Sequence, residues 1–215
     1  MRKLVLLSIF VFLSFFATAQ SGKFRDVAKA CLLAQESMSY GEGSRQEIEE
    51  ALELLMKTEW ETLVLQEVDT KNEASFKGHM VFTPEFFKEV AKDSSVYKLA
   101  KKYAKEQTPV KRGGNVKLCT KCVKGGESVE YAVRYAGSKL NIAAIAEVNG
   151  LINMEIAFKD AGGKILRVYK SHSLEFSGAD YREFLNVDVP KGVVMVHIII
   201  ENKSYKDKSI AIVIE

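Results

Sequence analysis

Hydrophobic residues repeat with a helical period in the first half of the chain and with a two-residue period in the second. Over residues 24–38 the apolar positions fall at i, i+3, i+4 and i+7, with Phe24, Val27, Ala28, Cys31 and Leu32 on one stripe, and the pattern runs out near Gly41 and Gly43. Ser44 and Glu47 have capping-box spacing, in which the serine oxygen accepts from a backbone N–H while the glutamate reaches back. They predict a second helix that buries Ile48, Ala51, Leu52, Leu55 and Trp60. Residues 63–82 fit neither period, with short extended pieces at 63–68 and 75–82. Thr83-Pro84-Glu85 supplies a cap, an N1 proline and a first-turn acid for a short helix through Val90 and Ala91, and a fourth helix is expected over about 95–106.

Gly113-Gly114 marks the expected boundary, after which alternating runs separated by glycine-bearing turns predict seven to nine strands. Met154, Ile156 and Phe158 point one way while Asn153, Glu155 and Lys159 point the other, and Leu185, Val187 and Val189 alternate against Asn186 and Asp188. Asp160-Ala161-Gly162-Gly163 and Pro190-Lys191-Gly192 read as turns. Residues 193–200 are apolar on both faces, as expected of a central strand with a second layer over it. Strands in close succession without helices between them favour an antiparallel sandwich. The expected architecture is α+β: a signal peptide at 1–19, a helical part at 20–112, and a jelly-roll-like β-sandwich at 113–215.

The N-terminus adds a compartment. Arg2 and Lys3 precede an apolar stretch at 4–16 and a small-x-small site, Ala17-Thr18-Ala19, which together read as a secretory signal rather than an anchor, since a bilayer span needs ~20 residues. No later stretch is long and apolar enough to span, so the mature chain is expected free in the periplasm or outside the cell, without a transmembrane anchor. With 215 residues, 47% hydrophobic and 27% charged, the composition excludes disordered, collagen-like and multi-spanning classes. Removing the signal leaves 29 basic against 28 acidic residues, which removes the case for nucleic-acid binding.

Three cysteines in an exported chain leave one unpaired, and Cys119-Thr120-Lys121-Cys122 is the close pair. Its readings are a disulfide, plain thiols, or a redox pair whose thiolate Lys117, Lys121 and Lys124 would favour; the strand-like surroundings argue against a thioredoxin-like helix N-terminus. Cys31 reads as a buried helix thiol. Haem attachment fails because Val123 stands where a histidine is needed, and zinc lacks a second ligand pair. No Gly-x-Ser-x-Gly elbow is present, Gly162-Gly163-Lys164 lacks the following serine or threonine of a phosphate loop, and His79, His172 and His197 are scattered. No cofactor or metal is expected, and no catalytic residue stands out.

Charge placement is more informative. Nine basic residues between Lys98 and Lys124 face one acid, while residues 36–61 carry eight glutamates against Arg45 and Lys57. Such segments form solvated faces, with some attraction between the acidic helix and the basic stretch. Lys98, Lys101, Lys102 and Lys105 are the candidates for steering an anionic partner such as lipopolysaccharide, peptidoglycan or an acidic polysaccharide. Among the strand tyrosines, Tyr169 and Tyr181, with His172 and Arg182 close by, are the ligand-binding candidates. Asn202-Lys203-Ser204 matches a glycosylation sequon but reads as a loop.

The closing section, residues 187–190, Gly192, 194–200, Glu201-Asn202 and 209–214, resembles the ending of pre-peptidase C-terminal-type β-sandwich modules, where a proline-glycine turn leads into a strand, a polar loop and a final strand. The mature chain, including Gly78-His79-Met80-Val81-Phe82-Thr83-Pro84-Glu85-Phe86, is also similar to uncharacterised secreted proteins of Gram-negative bacteria. These resemblances imply a sandwich fold and a binding role, with no catalytic residue to transfer. The expectation is an exported, non-catalytic binding or interaction protein of the cell envelope, with a glycan or an envelope protein as its partner. The alternatives are a thiol-redox protein using Cys119 and Cys122, a hydrolase with dispersed residues, and a structural subunit of an envelope assembly.

Overall fold

In the computed structural model of the chain, residues 22–39, 45–68, 98, 101–102, 115–171 and 178–215 are described. Two helices, α1 (Gly22–Ser39) and α2 (Arg45–Lys57), are followed by short strands β1 (Trp60–Thr62) and β2 (Gln66–Glu67). Eight longer strands then complete the fold: β3 (Val116–Val123), β4 (Ser128–Arg134), β5 (Lys139–Val148), β6 (Ile152–Asp160), β7 (Ile165–Ser171), β8 (Ala179–Asp188), β9 (Val193–Asn202) and β10 (Lys208–Ile214). The caps and helices expected at Ser44, 83–91 and most of 95–106 lie outside the described residues, as do Gly113, Gly114, His79, Lys105 and His172.

The strands form two five-stranded sheets, ordered β1-β3-β10-β5-β8 and β2-β4-β9-β6-β7. Apart from the outer β1 and β2, every sheet neighbour is antiparallel, and the order β3-β10-β5-β8 facing β4-β9-β6-β7 is that of a jelly roll. Alternation places Leu140, Ile142, Ile210 and Ile212 of the first sheet against Tyr131, Ile156, Phe158 and Ile198 of the second, all buried in one inter-sheet core. The antiparallel directions bring the connections 124–127, 149–151 and 203–207 to one end of the sandwich and the turns 135–138, 161–164 and 189–192 to the other. At the second of these ends Asp160 Oδ1 accepts from the N–H groups of Gly162 and Lys164 at 2.9 Å each, closing the hairpin expected there.

The helices cover the outer face of the first sheet. Helix α1 turns Phe24, Val27, Ala28, Cys31 and Ala34 toward Val116, Leu118, Ala143, Ile145, Ala211 and Val213, with α2 adding Ala51 and Leu55. Alanines on both sides of this contact let the helix axis approach the sheet closely, so the residues outside the inter-sheet core build a second one. Trp60, expected on the helix face, starts β1 instead, half-buried, with its indole N–H donating to the Leu55 carbonyl at 3.0 Å. Strand β1 runs parallel to β3, β2 runs antiparallel to β4, and Leu63 and Leu65 between them plug one side of the sandwich core. Among the described residues the acidic helix pairs with α1: Glu50 meets Lys29 at 2.6 Å, and Glu59, just beyond α2, meets Lys23 at 2.7 Å.

Candidate functional site

The residues singled out by their chemistry in the sequence do not converge. Cys119 and Cys122 are three apart on a continuous strand, so their side chains leave opposite faces of β3: Cys119 enters the inter-sheet core, while Cys122 pairs in register with Ser209 on the helix side. Together with Cys31 they are free thiols, and the expected disulfide is not formed. Burial pushes the Cys119 thiol up to about 12 against the opposing pull of Lys121. Cys122 is raised by burial and by Asp207 and Glu147. A redox nucleophile needs the reverse shift, so this pair lacks the thiolate character that the redox alternative requires.

Tyr169 points into the sandwich, edge-on to Phe158 with ring centroids 6.1 Å apart and tilted against Phe184 at 6.0 Å. Tyr181 points the opposite way, toward the helices, and its hydroxyl donates to Glu183 Oε2 at 2.7 Å. Arg182 is buried: its Nε donates to the Ile152 carbonyl at 3.2 Å, and its guanidinium pairs with Asp180, whose Oδ2 accepts from the Ile152 N–H at 2.7 Å. This pair clamps β8 to the start of β6 across the gap between the sheets. Tyr169, Tyr181 and Arg182 therefore hold the fold together in three separate places, and His172 lies outside the described residues. Lys98, Lys101 and Lys102 are exposed helical residues.

Two arrangements do stand out. The first is the outer face of the second sheet, opposite the face that packs into the core. Strand alternation turns Glu130 of β4, Met195, His197, Ile199 and Glu201 of β9, and Asn153, Glu155, Ala157 and Lys159 of β6 to this side. Residues 193–200 are thus central, as expected, but the helical layer lies over the other sheet. In register across the strands, His197 is flanked by Ala132 and Ala157, and the small neighbours let Glu130 and Lys159 lean over the imidazole. The Glu130 carboxylate lies 2.5 Å from His197 Nδ1 and 3.1 Å from Lys159 Nζ, and His197 is only 9% exposed.

The same Nδ1 lies 3.2 Å from Lys159 Nζ, so a carboxylate that only accepts and an ammonium that only donates meet the imidazole at one nitrogen. Burial works against the Glu130 charge, yet hydrogen bonds from His197 and Lys159 and their charges outweigh it and hold the carboxyl below its usual range. Beside this trio Lys170 pairs with Glu155 at 2.7 Å and Asn153 donates to Glu201 at 2.6 Å. The face is a plane of mutually fixed donors and acceptors around two half-buried apolar side chains, Met195 and Ile199. The period-two pattern marked Asn153, Glu155 and Lys159 as outward, but the trio depends on strand pairings that the sequence does not display.

The second arrangement is the end of the sandwich where the connections 124–127, 149–151 and 203–207 meet. Asn202, fully buried, donates from Nδ2 to the carbonyls of Val123 and Lys206 at 2.8 Å each. Its Oδ1 accepts from the Ser204 hydroxyl at 2.6 Å and the Ser204 N–H at 3.0 Å. Gly126 N–H donates to the Asn202 and Ser204 carbonyls at 2.9 and 3.0 Å, Gly125 N–H to Asp207 Oδ1 at 3.1 Å, and Lys203 N–H to the Leu151 carbonyl at 2.7 Å. The loop expected at Asn202-Lys203-Ser204 is therefore a knot binding 203–207 to 124–127 and 149–151.

Among the described residues no group of His, Cys, Asp and Glu is placed to hold a metal ion, and no helix is long and apolar enough to cross a membrane. No family model and no curated protein matches the chain. Solved structures match less than half of the chain, at low TM-score. The enzymatically active domain of bacteriophage CBA120 tailspike protein 4 gives a TM-score of 0.35 at 11% identity over 46% of this chain and 17% of that one. The Yersinia pseudotuberculosis-derived mitogen gives 0.31 at 10% identity over 46% and 84%. TmCBM61 in complex with β-1,4-galactotriose gives 0.30 at 12% identity over 47% of this chain and 81% of that one. Likeness of this degree assigns no activity to the chain.

Proposed function

We propose that the protein is an exported, non-catalytic binding or interaction protein of the bacterial cell envelope, and that the outer face of its second sheet recognises a glycan. The observation that carries this reading is the asymmetry of the sandwich. Helices bury the outer face of one sheet, while the other outer face presents Glu130, His197, Lys159, Glu155, Lys170, Asn153 and Glu201 locked to one another around Met195 and Ile199. Carboxylates and amides beside ammonium groups match the paired hydroxyls of a sugar, and the apolar strip between them matches its C–H face. Groups held by each other lose little side-chain entropy on binding, which favours recognition. The signal-like N-terminus supports export, and exposed Lys98, Lys101 and Lys102 support steering of an acidic envelope polymer.

The test is thermal unfolding of the mature protein against a panel of neutral and acidic glycans and peptidoglycan fragments. A ligand at about a hundred times its dissociation constant adds ~2.7 kcal/mol and raises the midpoint by about 5–10 °C for a chain of this length. Glu155→Gln, which alters an exposed pair of small energetic weight, should abolish the shift without moving the midpoint of the free protein. No shift across the panel, or a shift indifferent to Glu155→Gln, removes the sheet face as a glycan site.

A further inference from the structure

The knot at the loop end supports a conspicuously exposed aromatic. Ser204 is 7% exposed and Asn202 fully buried, yet Tyr205 between Ser204 and Lys206 is 89% exposed, the highest value among the described large hydrophobic residues. Its ring has no part in either core. The backbone beneath it is fixed from both sides. Ser204 is bound through its hydroxyl and amide to Asn202, Lys206 through its carbonyl to Asn202, and Gly125 packs so tightly that a Cβ there would sit 2.5 Å from the Tyr205 carbonyl carbon and 2.8 Å from the Lys206 nitrogen. An aromatic ring left in water contributes nothing to folding through burial, while a rigid loop removes much of the entropy cost of using it as an anchor.

The charges around it are sorted. Among the described acids at this end, Asp207 accepts from Gly125 N–H, Glu147 from Ser209 N–H and Glu201 from Asn153, and Glu127 lies 3.8 Å from Lys124. Lys206 holds its ammonium over one face of the Tyr205 ring, 5.5 Å from its centroid, and the opposite face is the platform. We propose that Tyr205 and Lys206 form a second saccharide subsite, in which the ring stacks on the C–H face of a sugar and the ammonium pairs with a carboxylate that the sugar carries. The subsite selects acidic saccharides, and it rests on the glycan reading while lying at a different place on the molecule.

The experiment titrates the mature protein with a uronic-acid oligosaccharide and with its carboxyl-reduced counterpart, following heats and backbone amide shifts. Binding of the acidic oligosaccharide with shifts centred on residues 203–207 is expected. Tyr205→Ala should weaken that binding by about tenfold or more with an unchanged melting temperature. Lys206→Gln should erase the preference for the acidic form and the salt dependence. Gly125→Ala, which must displace the Tyr205 carbonyl, should weaken binding although it touches no ligand. Binding unaffected by Tyr205→Ala but lost with Glu155→Gln overturns the subsite and leaves the sheet-face reading standing. Failure of the wild-type protein to bind either oligosaccharide overturns the subsite, and failure against the whole glycan panel overturns both.

Discussion

Replacing Asn202 by alanine tests the loop knot most directly, because one fully buried side chain serves four hydrogen-bonding groups. In Asn202→Ala the single Ser204 O–H, no longer claimed by Oδ1, turns to the Lys206 carbonyl 2.8 Å away. The Val123 carbonyl loses the side-chain donor but stays paired with Lys208 in the ladder, so the Ser204 N–H is the group left without a partner in the buried knot. A buried polar group left without a partner costs about 1–3 kcal/mol. At about 2–4 °C per kcal/mol the melting temperature should fall by about 2–12 °C. In denaturant the midpoint should drop with an unchanged slope, as expected when stability changes without a change in exposed area. Asn202→Asp sharpens the test. It keeps Oδ1 for Ser204 but turns an acceptor toward the Val123 and Lys206 carbonyls that Nδ2 now approaches at 2.8 Å, so it should be at least as damaging as alanine. A loss below about 1 kcal/mol for alanine, or an aspartate variant milder than alanine, refutes the assignment of the loop geometry to these bonds.

Three further outcomes follow from the same contacts. The Glu130 carboxyl is held below its usual value of 4.5, so between its folded and unfolded pKa values the unfolded chain binds more protons and stability rises with pH. Its contribution is complete above about 4.5 and is lost as pH falls through the folded value, so the melting-temperature gap between wild type and Glu130→Gln should close on acidification from neutral pH; a constant gap contradicts the trio. Thiol labelling of the native protein should reach half-buried Cys122 slowly and leave buried Cys31 and Cys119 untouched until denaturant is added, and an intact mass two hydrogens short would contradict the free thiols. Phe158→Ala removes a fully buried ring and the partner of the Tyr169 edge, and should cost about 3–5 kcal/mol by denaturant unfolding; a value near zero would contradict the inter-sheet core.

The periods of the hydrophobic pattern sufficed for the class, for α1 and α2, and for the run of strands after residue 115. The stripe Phe24, Val27, Ala28 and Cys31 is the face of α1 that meets the sheet, and Met154, Ile156 and Phe158 enter the sandwich while Asn153, Glu155 and Lys159 face out. Which sheet each strand joins was not legible, because pairing partners such as β3 and β10 lie far apart in the chain and any alternating strand satisfies the same pattern. The same limit explains the misplaced chemistry. Cys119 and Cys122 look like neighbours by spacing, yet a strand sends residues three apart to opposite faces. Tyr181 and Arg182 are adjacent in sequence and are separated by the thickness of the sheet. Trp60 continues the helical pattern and begins a strand instead, because its backbone pairs in register with Val116.

The contacts that organise the loop end escape sequence reading for a further reason. Asn202 reaches the Val123 carbonyl across 79 residues, Gly125 the Asp207 carboxylate across 82, and Asp180 the Ile152 amide across 28. Each joins a side chain to a backbone group, and backbone groups leave no trace in residue type. The jelly roll turns these separations into neighbours, since its strand directions gather the connections 124–127, 149–151 and 203–207 at one end whatever their sequences. The same topology leaves one sheet face to the helices and the other to solvent-facing polar groups. Binding surfaces on this chain therefore arise where the fold has fixed side chains without burying them. Tyr205 meets that condition through its backbone, and the Glu155–Lys170 pair meets it through mutual contact. A ligand bridging both would have to pass Glu201 and Asn153, which sit side by side in register at the knot end of the same face. Glu201→Ala should then weaken a long oligosaccharide and spare a short one, a length dependence that two unconnected sites would not produce.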